Sequence, residues 1–374
     1  MKIVFLEAVQ SFGGARKSTL ELARRLQDVG HDVVIVDFWG CCLPFEEAAT
    51  GMNLKFEVLD RRTAPVILES ENRIKFVANA VKYLLYEKRL KTKFKEFINA
   101  FSPNIISVNN SKCLSIVPAQ GSFEIYYFAR GWFNNNALSF QTKYTLKKFK
   151  NIRYLAVSQS TRQAIFAGDF ARLEDVFVIT ASIDYKRTEV IKSRNNFIPW
   201  NESISVRPFI LHHCGGYLET KGQHISLEVA KMLKKRNINF KLYFTGIIYE
   251  GGSSEKYYRN LLSQIDINGL KDNVIVLLDP PNIMDYFCNS DVLLLPSYTE
   301  GLPRVILEAM SFGKPVIANP AGGIVDVVIN NHTGFVADFN NVYDYFNAVI
   351  QLYNDKKKYE SLSKNCENLI RNNY

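Results

Sequence analysis

Two carboxylates, a lysine and several glycine-rich loops carry the chemistry readable in this chain. Glu300 and Glu308 lie within Pro296-Ser297-Tyr298-Thr299-Glu300-Gly301-Leu302-Pro303-Arg304-Val305-Ile306-Leu307-Glu308-Ala309-Met310. The stretch follows an apolar strand pattern and opens a helix, with Pro303 suited to the first helical turn. Amides near Gly301 and Leu302 would sit at the positive helix end, where anions bind. Glu308 would lie about one and a half turns in, and Glu300 would precede the helix. Carboxylates accept hydrogen bonds from sugar hydroxyls, and helix-end amides take phosphate. A nucleotide sugar needs both. The alternative is a capping acid at Glu300 and a solvated Glu308.

Lys221 precedes Gly222 at a second helix start. A cation there could stabilise a departing diphosphate, or it could simply be solvated. Gly13-Gly14 lies between a strand and a helix, where backbone can approach a phosphate; the alternative is a tight turn. Neither G-x-G-x-x-G nor G-x-x-x-x-G-K-[ST] occurs, which excludes a dinucleotide fingerprint and a P-loop. There is no D-x-D and no His/Cys cluster at metal-ligand spacing. His212 and His213 end an apolar strand and read as core or turn packing.

The elements that must position these residues alternate. Lys2–Leu6, Asp32–Phe38, Pro103–Val108, Glu124–Phe128, Tyr154–Val157 and Val176–Thr180 read as buried strands, and Arg16–Val29 as a helix stopped by Gly30. A second series follows, with strands at Phe209–His213, Phe240–Phe244, Val274–Leu277, Val292–Leu295 and Val316–Ala318. Helices are expected at Gly222–Arg236 and Arg304–Phe312. With 374 residues, this predicts an α/β chain of two doubly wound Rossmann-like domains facing an interdomain cleft. The expected boundaries are 1–190 for the first domain, 191–207 for a linker and 208–374 for the second. The linker lies within the polar, aperiodic Ser182–Arg207.

Composition is ordinary for a globular protein, at 47% hydrophobic and 22% charged, which excludes disorder and fibrous repeats. The net charge of +9 is lopsided, because Met1–Asn195 holds 29 Lys and Arg against 19 Asp and Glu. Arg73–Lys95 alternates basic residues with Phe76, Val77, Val81, Leu84, Leu85, Leu90, Phe94 and Phe97 at near-helical spacing, and Lys143–Arg153 adds further bases. Such a basic amphipathic helix suits anionic lipid headgroups; the alternative is a solvated face packed on the sheet. No nucleic-acid motif accompanies the charge. The six cysteines form no C-x-x-C pair, which suggests reduced thiols in the cytoplasm. No signal peptide or apolar run long enough to span a membrane is evident.

The Glu300–Met310 segment resembles the retaining nucleotide-sugar glycosyltransferases of family four, whose signature is E-x7-E with E-G-x-P at its start and E-A-M at its end. Further matches are Gly13-Gly14-Ala15, Gly30-His31-Asp32-Val33, Ala156-Val157-Ser158, Lys221-Gly222, Gly313-Lys314-Pro315-Val316-Ile317-Ala318, Ala321-Gly322-Gly323-Ile324 and Thr333-Gly334-Phe335-Val336. The resemblance implies the GT-B fold, with an acceptor-binding first domain and a donor-binding second one. It implies that Glu308 binds the ribose hydroxyls, Glu300 contacts the transferred sugar and Lys221 neutralises the diphosphate. Gly301, Leu302, Gly322 and Gly323 would meet the donor from the second domain, and Gly13 and Gly14 from the first. No cofactor is implied beyond the nucleoside-diphosphate sugar itself, and the acceptor would be a glycan or lipid-linked acceptor.

Three departures accompany the match. The positions where many members carry an arginine before the lysine are Gly215 and Gly216. Where many carry a histidine after a first-domain strand, this chain has Phe128-Ala129-Arg130-Gly131-Trp132. Arg130 would replace the histidine or supply a phosphate contact; the alternative is an arginine held by structural carboxylates. Members usually continue into a helix crossing back to the first domain, whereas the sequence stops at Asn372-Asn373-Tyr374, so a missing or truncated closing helix is expected. These features lead to a cytoplasmic retaining glycosyltransferase, working at the inner face of the membrane on cell-surface polysaccharide or lipid-linked glycan. A non-catalytic sugar-nucleotide-binding or partner subunit is the alternative.

Overall fold

Apolar runs such as Ile3–Leu6 and Val33–Val36 need cover on both faces, which a parallel sheet between helix layers provides. The computed structural model describes residues 1–66, 73–133, 138–149, 152–203, 207–249 and 252–374 and meets that need twice. Lys150 and linker residues 204–206 lie outside the described residues.

The first unit contains β1 (Lys2–Glu7), α1 (Gly14–Asp28), β2 (Asp32–Asp37), α2 (Leu43–Gly51), β3 (Lys55–Val58), α3 (Arg73–Phe101), β4 (Ile105–Val108), α4 (Ser111–Ile116), β5 (Glu124–Ala129), α5 (Phe140–Lys147), β6 (Ile152–Ala156), α6 (Gln159–Ala167) and β7 (Val176–Val178). Its strands pair in parallel in the order β3-β2-β1-β4-β5-β6-β7. The strand pleat sends alternate residues to opposite faces. Ile3 and Phe5 therefore pack with Leu20 and Ala23 of α1 and Phe45 and Ala49 of α2. Val4 and Leu6 pack with Leu90 and Phe94 of α3, Cys113 and Leu114 of α4 and Leu146 of α5.

The second unit contains α7 (Tyr185–Asn195), β8 (Phe209–Cys214), α8 (Gln223–Lys235), β9 (Phe240–Gly246), α9 (Ser253–Ile267), β10 (Val274–Leu278), α10 (Ile283–Cys288), β11 (Val292–Leu295), α11 (Arg304–Ser311), β12 (Val316–Ala318), β13 (Gly334–Val336), α12 (Val342–Asn354) and α13 (Lys356–Asn373). Its strands are also parallel, in the order β10-β9-β8-β11-β12-β13. One face is covered by α8, α9 and α12, through Leu233, Leu261 and Val349. The other is covered by α7, α10, α11 and α13, through Ile191, Phe287, Ile306 and Ile370.

Both sheets reverse their strand order once, between β1 and β4 and between β8 and β11. The carboxyl ends of the strands at such a switch point diverge into loops that leave room for a ligand. The residues following β1, β4, β8 and β11 are therefore the ones to inspect.

The second unit begins at Thr180 and also takes in Ser158–Ser160, whereas the sequence suggests a first domain extending to residue 190. The polar Ser182–Arg207, expected as a linker, folds its first half into α7. Asp184 caps that helix through Arg187 N at 3.1 Å, Ile191 is buried, and Arg194 pairs with Asp285 at 2.5 Å. Only Thr188 and Ile191 are buried there, too few to leave a helical period in the sequence. The last helix, α13, stays with the second unit: Cys366 and Ile370 are buried, and Ile183 N donates to Tyr374 O at 2.9 Å.

Candidate active site

In the second unit the loops after β8, β11 and β12 are fastened to one another. Gly222 follows the short turn Glu219–Lys221 with φ +73°, and an added Cβ would strike Pro296 O. Only glycine tolerates both demands. Tyr298 N donates to Thr220 O at 2.9 Å, so the loop after β8 runs along the loop after β11. Gly323 N donates to Gly301 O at 2.5 Å, and a Cβ on Gly323 would press into that same carbonyl. The neighbouring Gly322 has φ +58°.

These contacts gather Lys221, Glu300, Gly301, Leu302, Gly322 and Gly323 at the carboxyl edge of the sheet. Lys221 Nζ donates to Glu300 Oε1 at 2.6 Å, with side chains 25% and 10% exposed. Glu308 lies on α11 and receives Arg304 Nε at 3.3 Å, one helical turn back. Glu308 is therefore a half-buried, paired carboxylate rather than a freely solvated one. Leu302 packs its side chain against the apolar layer around Ile306 and Ile324.

The expected packing role of the two histidines holds. His212 and His213 are fully buried, with His212 Nε2 2.8 Å from Thr245 Oγ1 and His213 Nδ1 2.9 Å from Ser226 Oγ. Burial pushes both imidazoles down to about 3, and the charges of His212, Lys221 and His224 add to the effect on His213. Both are neutral supports at physiological pH. Of the two glycines standing in place of an arginine, Gly216 has a packing reason, whereas Gly215 has only ordinary contact. A Cβ on Gly216 would run into the Tyr249 ring, and one on Gly215 would touch the Lys221 stem at 3.6 Å.

In the first unit, Gly13 caps α1 with extended backbone, φ −113° and ψ −174°, and accepts from Arg16 N and Lys17 N. Neither Gly13 nor Gly14 has positive φ, and a Cβ on either would meet nothing within 4 Å. The fold itself does not require glycine at either position.

Arg130 follows β5. Its Nε donates to Asn109 Oδ1 and its Nη2 to Thr19 Oγ1, each at 2.8 Å, while its guanidinium carbon lies 4.0 Å from the Phe128 ring centroid. Asn109 and Thr19 in turn donate to Glu7 Oε1, and Arg16 Nε lies 3.2 Å from Glu7 Oε2. Arg130 is thus linked to the Glu7 carboxylate through Asn109 and Thr19. Glu7 is fully buried. Burial raises its carboxyl pKa, and the charges of Arg16 and Arg130 act against that rise. Sequence reasoning missed this cluster. The available signal was Glu7 itself, an acid ending an apolar strand, since an acid is almost never buried without partners.

Among the described residues, no three His, Cys, Asp or Glu side chains gather at metal-ligand spacing. Residues 195–369 match the family described as glycosyl transferases group 1. The match covers a little under half of the chain. Every second-unit site residue named above falls inside it.

Several curated relatives match part of the chain. An uncharacterized glycosyltransferase of Haemophilus influenzae is 29% identical over 174 residues, covering 46% of this chain and 47% of its own length. The capsular polysaccharide biosynthesis glycosyltransferase CapM of Staphylococcus aureus is 21% identical over 224 residues, covering 59% and 57%. An Escherichia coli UDP-Gal:alpha-D-GlcNAc-diphosphoundecaprenol alpha-1,3-galactosyltransferase is 39% identical over 114 residues, covering 30% and 28%. The chain spans about half the length, or less, of the curated relatives it matches. Among solved structures, Anabaena HepE in complex with UDP and glucose has a TM-score of 0.76 at 20% identity, covering 100% of this chain and 95% of that one. TarM of S. aureus has a TM-score of 0.74 at 13% identity, covering 100% and 97%. The shared architecture is the GT-B fold of two parallel-sheet α/β domains.

Proposed function

We propose that this chain is a retaining glycosyltransferase that moves a sugar from a nucleoside-diphosphate sugar to an acceptor hydroxyl. The observation that carries the reading is the Lys221–Glu300 pair, held by three interlocked loops at the start of α11, with Glu308 further along that helix. Lys221 and the first-turn amides of α11 suit a diphosphate, because preorganised positive charge stabilises the leaving group as its charge grows. Glu308 suits the ribose hydroxyls as acceptor, and Glu300 suits the transferred sugar. Gly301, Leu302, Gly322 and Gly323 present backbone to the donor. Gly13, Gly14 and Arg130 serve the same chemistry from the first unit.

In the proposed reaction the bond from the anomeric carbon to the diphosphate oxygen breaks, and its electron pair leaves with the diphosphate. The acceptor oxygen attacks from the same face, so the anomeric configuration is kept. The acceptor proton passes to the departing phosphate, and no side-chain base or metal takes part. HepE was solved with UDP and glucose, and the E. coli relative is named for a UDP-galactose reaction on a lipid-linked sugar. Both names support a uridine diphosphate sugar as donor, and the second supports a lipid-linked acceptor; the proposal places a glycan or lipid-linked acceptor in the cytoplasm at the inner face of the membrane.

The test is a thermal-shift panel of UDP-, GDP- and ADP-sugars, since a donor bound only by the native state raises apparent stability. Turnover of the stabilising donor would then be followed by NMR at the product's anomeric carbon. An inverted product refutes retention. Donor binding without transfer to any acceptor supports the alternative of a non-catalytic sugar-nucleotide-binding subunit, for which Gly215 and Gly216 in place of an arginine are the motive.

A further inference from the structure

α3 is 29 residues long, and its two halves behave differently. In the second half, Leu90 and Phe94 are buried in the layer shared with α4 and α5, and Phe97, Ile98 and Phe101 pack beside them. In the first half, Phe76, Val77, Val81, Leu84 and Leu85 are 47% to 63% exposed. The sequence leaves open whether all the apolar residues of this helix pack on the sheet; these five do not.

Their spacing is informative. Val77, Val81, Leu84 and Leu85 follow i, i+4, i+7, i+8 and share one stripe, at about 100° per residue. The same rotation puts Leu90 and Phe94 on the opposite side. The helix is thus apolar on both faces, with one face in the core and one in solvent. Exposed Lys88 and Lys95 continue the solvent stripe, with Lys91 at its edge. The acids among the described side chains of this helix, Glu87 and Glu96, are paired with Lys91 at 2.8 Å and Lys93 at 3.0 Å.

A second helix on the same side of the sheet repeats the pattern. Phe140 and Tyr144, one turn apart on α5, are 85% and 57% exposed. Lys147 and Lys148 beside them are exposed, and Lys148 Nζ lies 4.5 Å from the Tyr144 ring centroid. α3 and α5 both flank α4 and share one apolar layer.

We infer that the outward face of α3 and α5 docks on an anionic lipid bilayer, with Val77, Val81, Leu84, Leu85, Phe140 and Tyr144 entering the headgroup–acyl boundary and the lysines meeting anionic headgroups. Apolar stripes flanked by lysine suit that interface, where aliphatic stems lie in the apolar region and ammonium groups reach phosphate. A second copy of the chain is a poorer occupant, because it would set lysine against lysine. No described helix is long and apolar enough to cross a membrane, so the contact is peripheral. This deepens the membrane-side location proposed above and rests on that part of the reading alone.

The test is co-sedimentation of the full chain with phosphatidylcholine vesicles, with and without phosphatidylglycerol. Binding should require phosphatidylglycerol and weaken as salt rises. Leu84→Ser with Leu85→Ser should cut binding roughly tenfold or more, since a surface apolar insertion is lost. Lys88→Glu with Lys95→Glu should cut it by a similar factor and flatten the salt dependence. Far-UV circular dichroism and the donor-induced thermal shift should stay at parent values in both variants. That second readout separates loss of docking from failure of the glycosyltransferase reading. Absent binding, equal binding to both vesicle types, or parental binding by the variants overturns the inference. So does a parent dimer that the Leu84→Ser and Leu85→Ser pair converts to monomer without loss of vesicle binding.

Discussion

Lys221 and Glu300, 79 positions apart in the chain, form a 2.6 Å ion pair. The lysine comes from the loop after β8 and the glutamate from the loop after β11, on either side of the strand-order reversal. Each holds the other in place, so a diphosphate bound at Lys221 would have to compete with Glu300 for the ammonium. Lys221→Ala should lower transfer by roughly a hundredfold, the usual scale for losing one preorganised charge at a developing anion. Glu300→Gln keeps a hydrogen-bond acceptor and releases the ammonium. It should preserve the donor thermal shift while lowering kcat. Steady-state kinetics and thermal shift together check this, and full transfer by Lys221→Ala would remove the lysine from the site.

Glu308 should be read through the ribose. Glu308→Ala removes an acceptor and should weaken donor binding about tenfold, the scale of a charged hydrogen bond lost. The sharper expectation is selective. The parent should prefer the ribonucleotide donor over its 2′-deoxy analogue, and the variant should not. Equal discrimination by both proteins, measured by calorimetry, would place Glu308 away from the ribose.

Glycines on the two units make opposite predictions. Gly323→Ala forces a Cβ onto Gly301 O and should destabilise the second unit by about 1–3 kcal/mol. Gly14→Ala meets nothing within 4 Å and should leave the melting temperature unchanged. If the donor does approach that backbone, the same substitution should still reduce the donor-induced thermal shift. Thermal denaturation with and without donor measures both effects.

His212 and His213 give stability a pH dependence of known sign. Each titrates near 6.5 when unfolded and about 3 when folded. Below 6.5 the unfolded chain binds protons that the native chain refuses, so stability falls as pH drops through that window. At pH 5 the loss should be on the order of 2 kcal/mol per histidine. His212→Gln and His213→Asn each offer an uncharged group to Thr245 or Ser226, and together they should flatten the slope between pH 6.5 and roughly 5 in urea denaturation. An unchanged slope would mean that other groups govern acid sensitivity.

The elements absent from the sequence reading have a common physical cause. A short edge strand such as β3 alternates exposed and half-covered residues, so no apolar run marks it. α7 buries two residues and shows no period. Continuous runs such as those of β1, β2 and β11 were legible because central parallel strands are buried on both faces.

The sequence by itself determined the alternation that yields two parallel sheets, and it marked Glu300, Glu308, Lys221 and the glycines as chemically meaningful. Local spacing suffices for these, because a strand, its loop and the next helix are contiguous. Tertiary structure decided which distant groups meet. Glu7 is joined to Thr19, Asn109 and Arg130 only when β1, β4 and β5 lie side by side. It also decided which face of α3 is left in solvent. A helix apolar on both sides has the same residues whichever side it buries, and only packing against β1, β4 and their neighbours selects one.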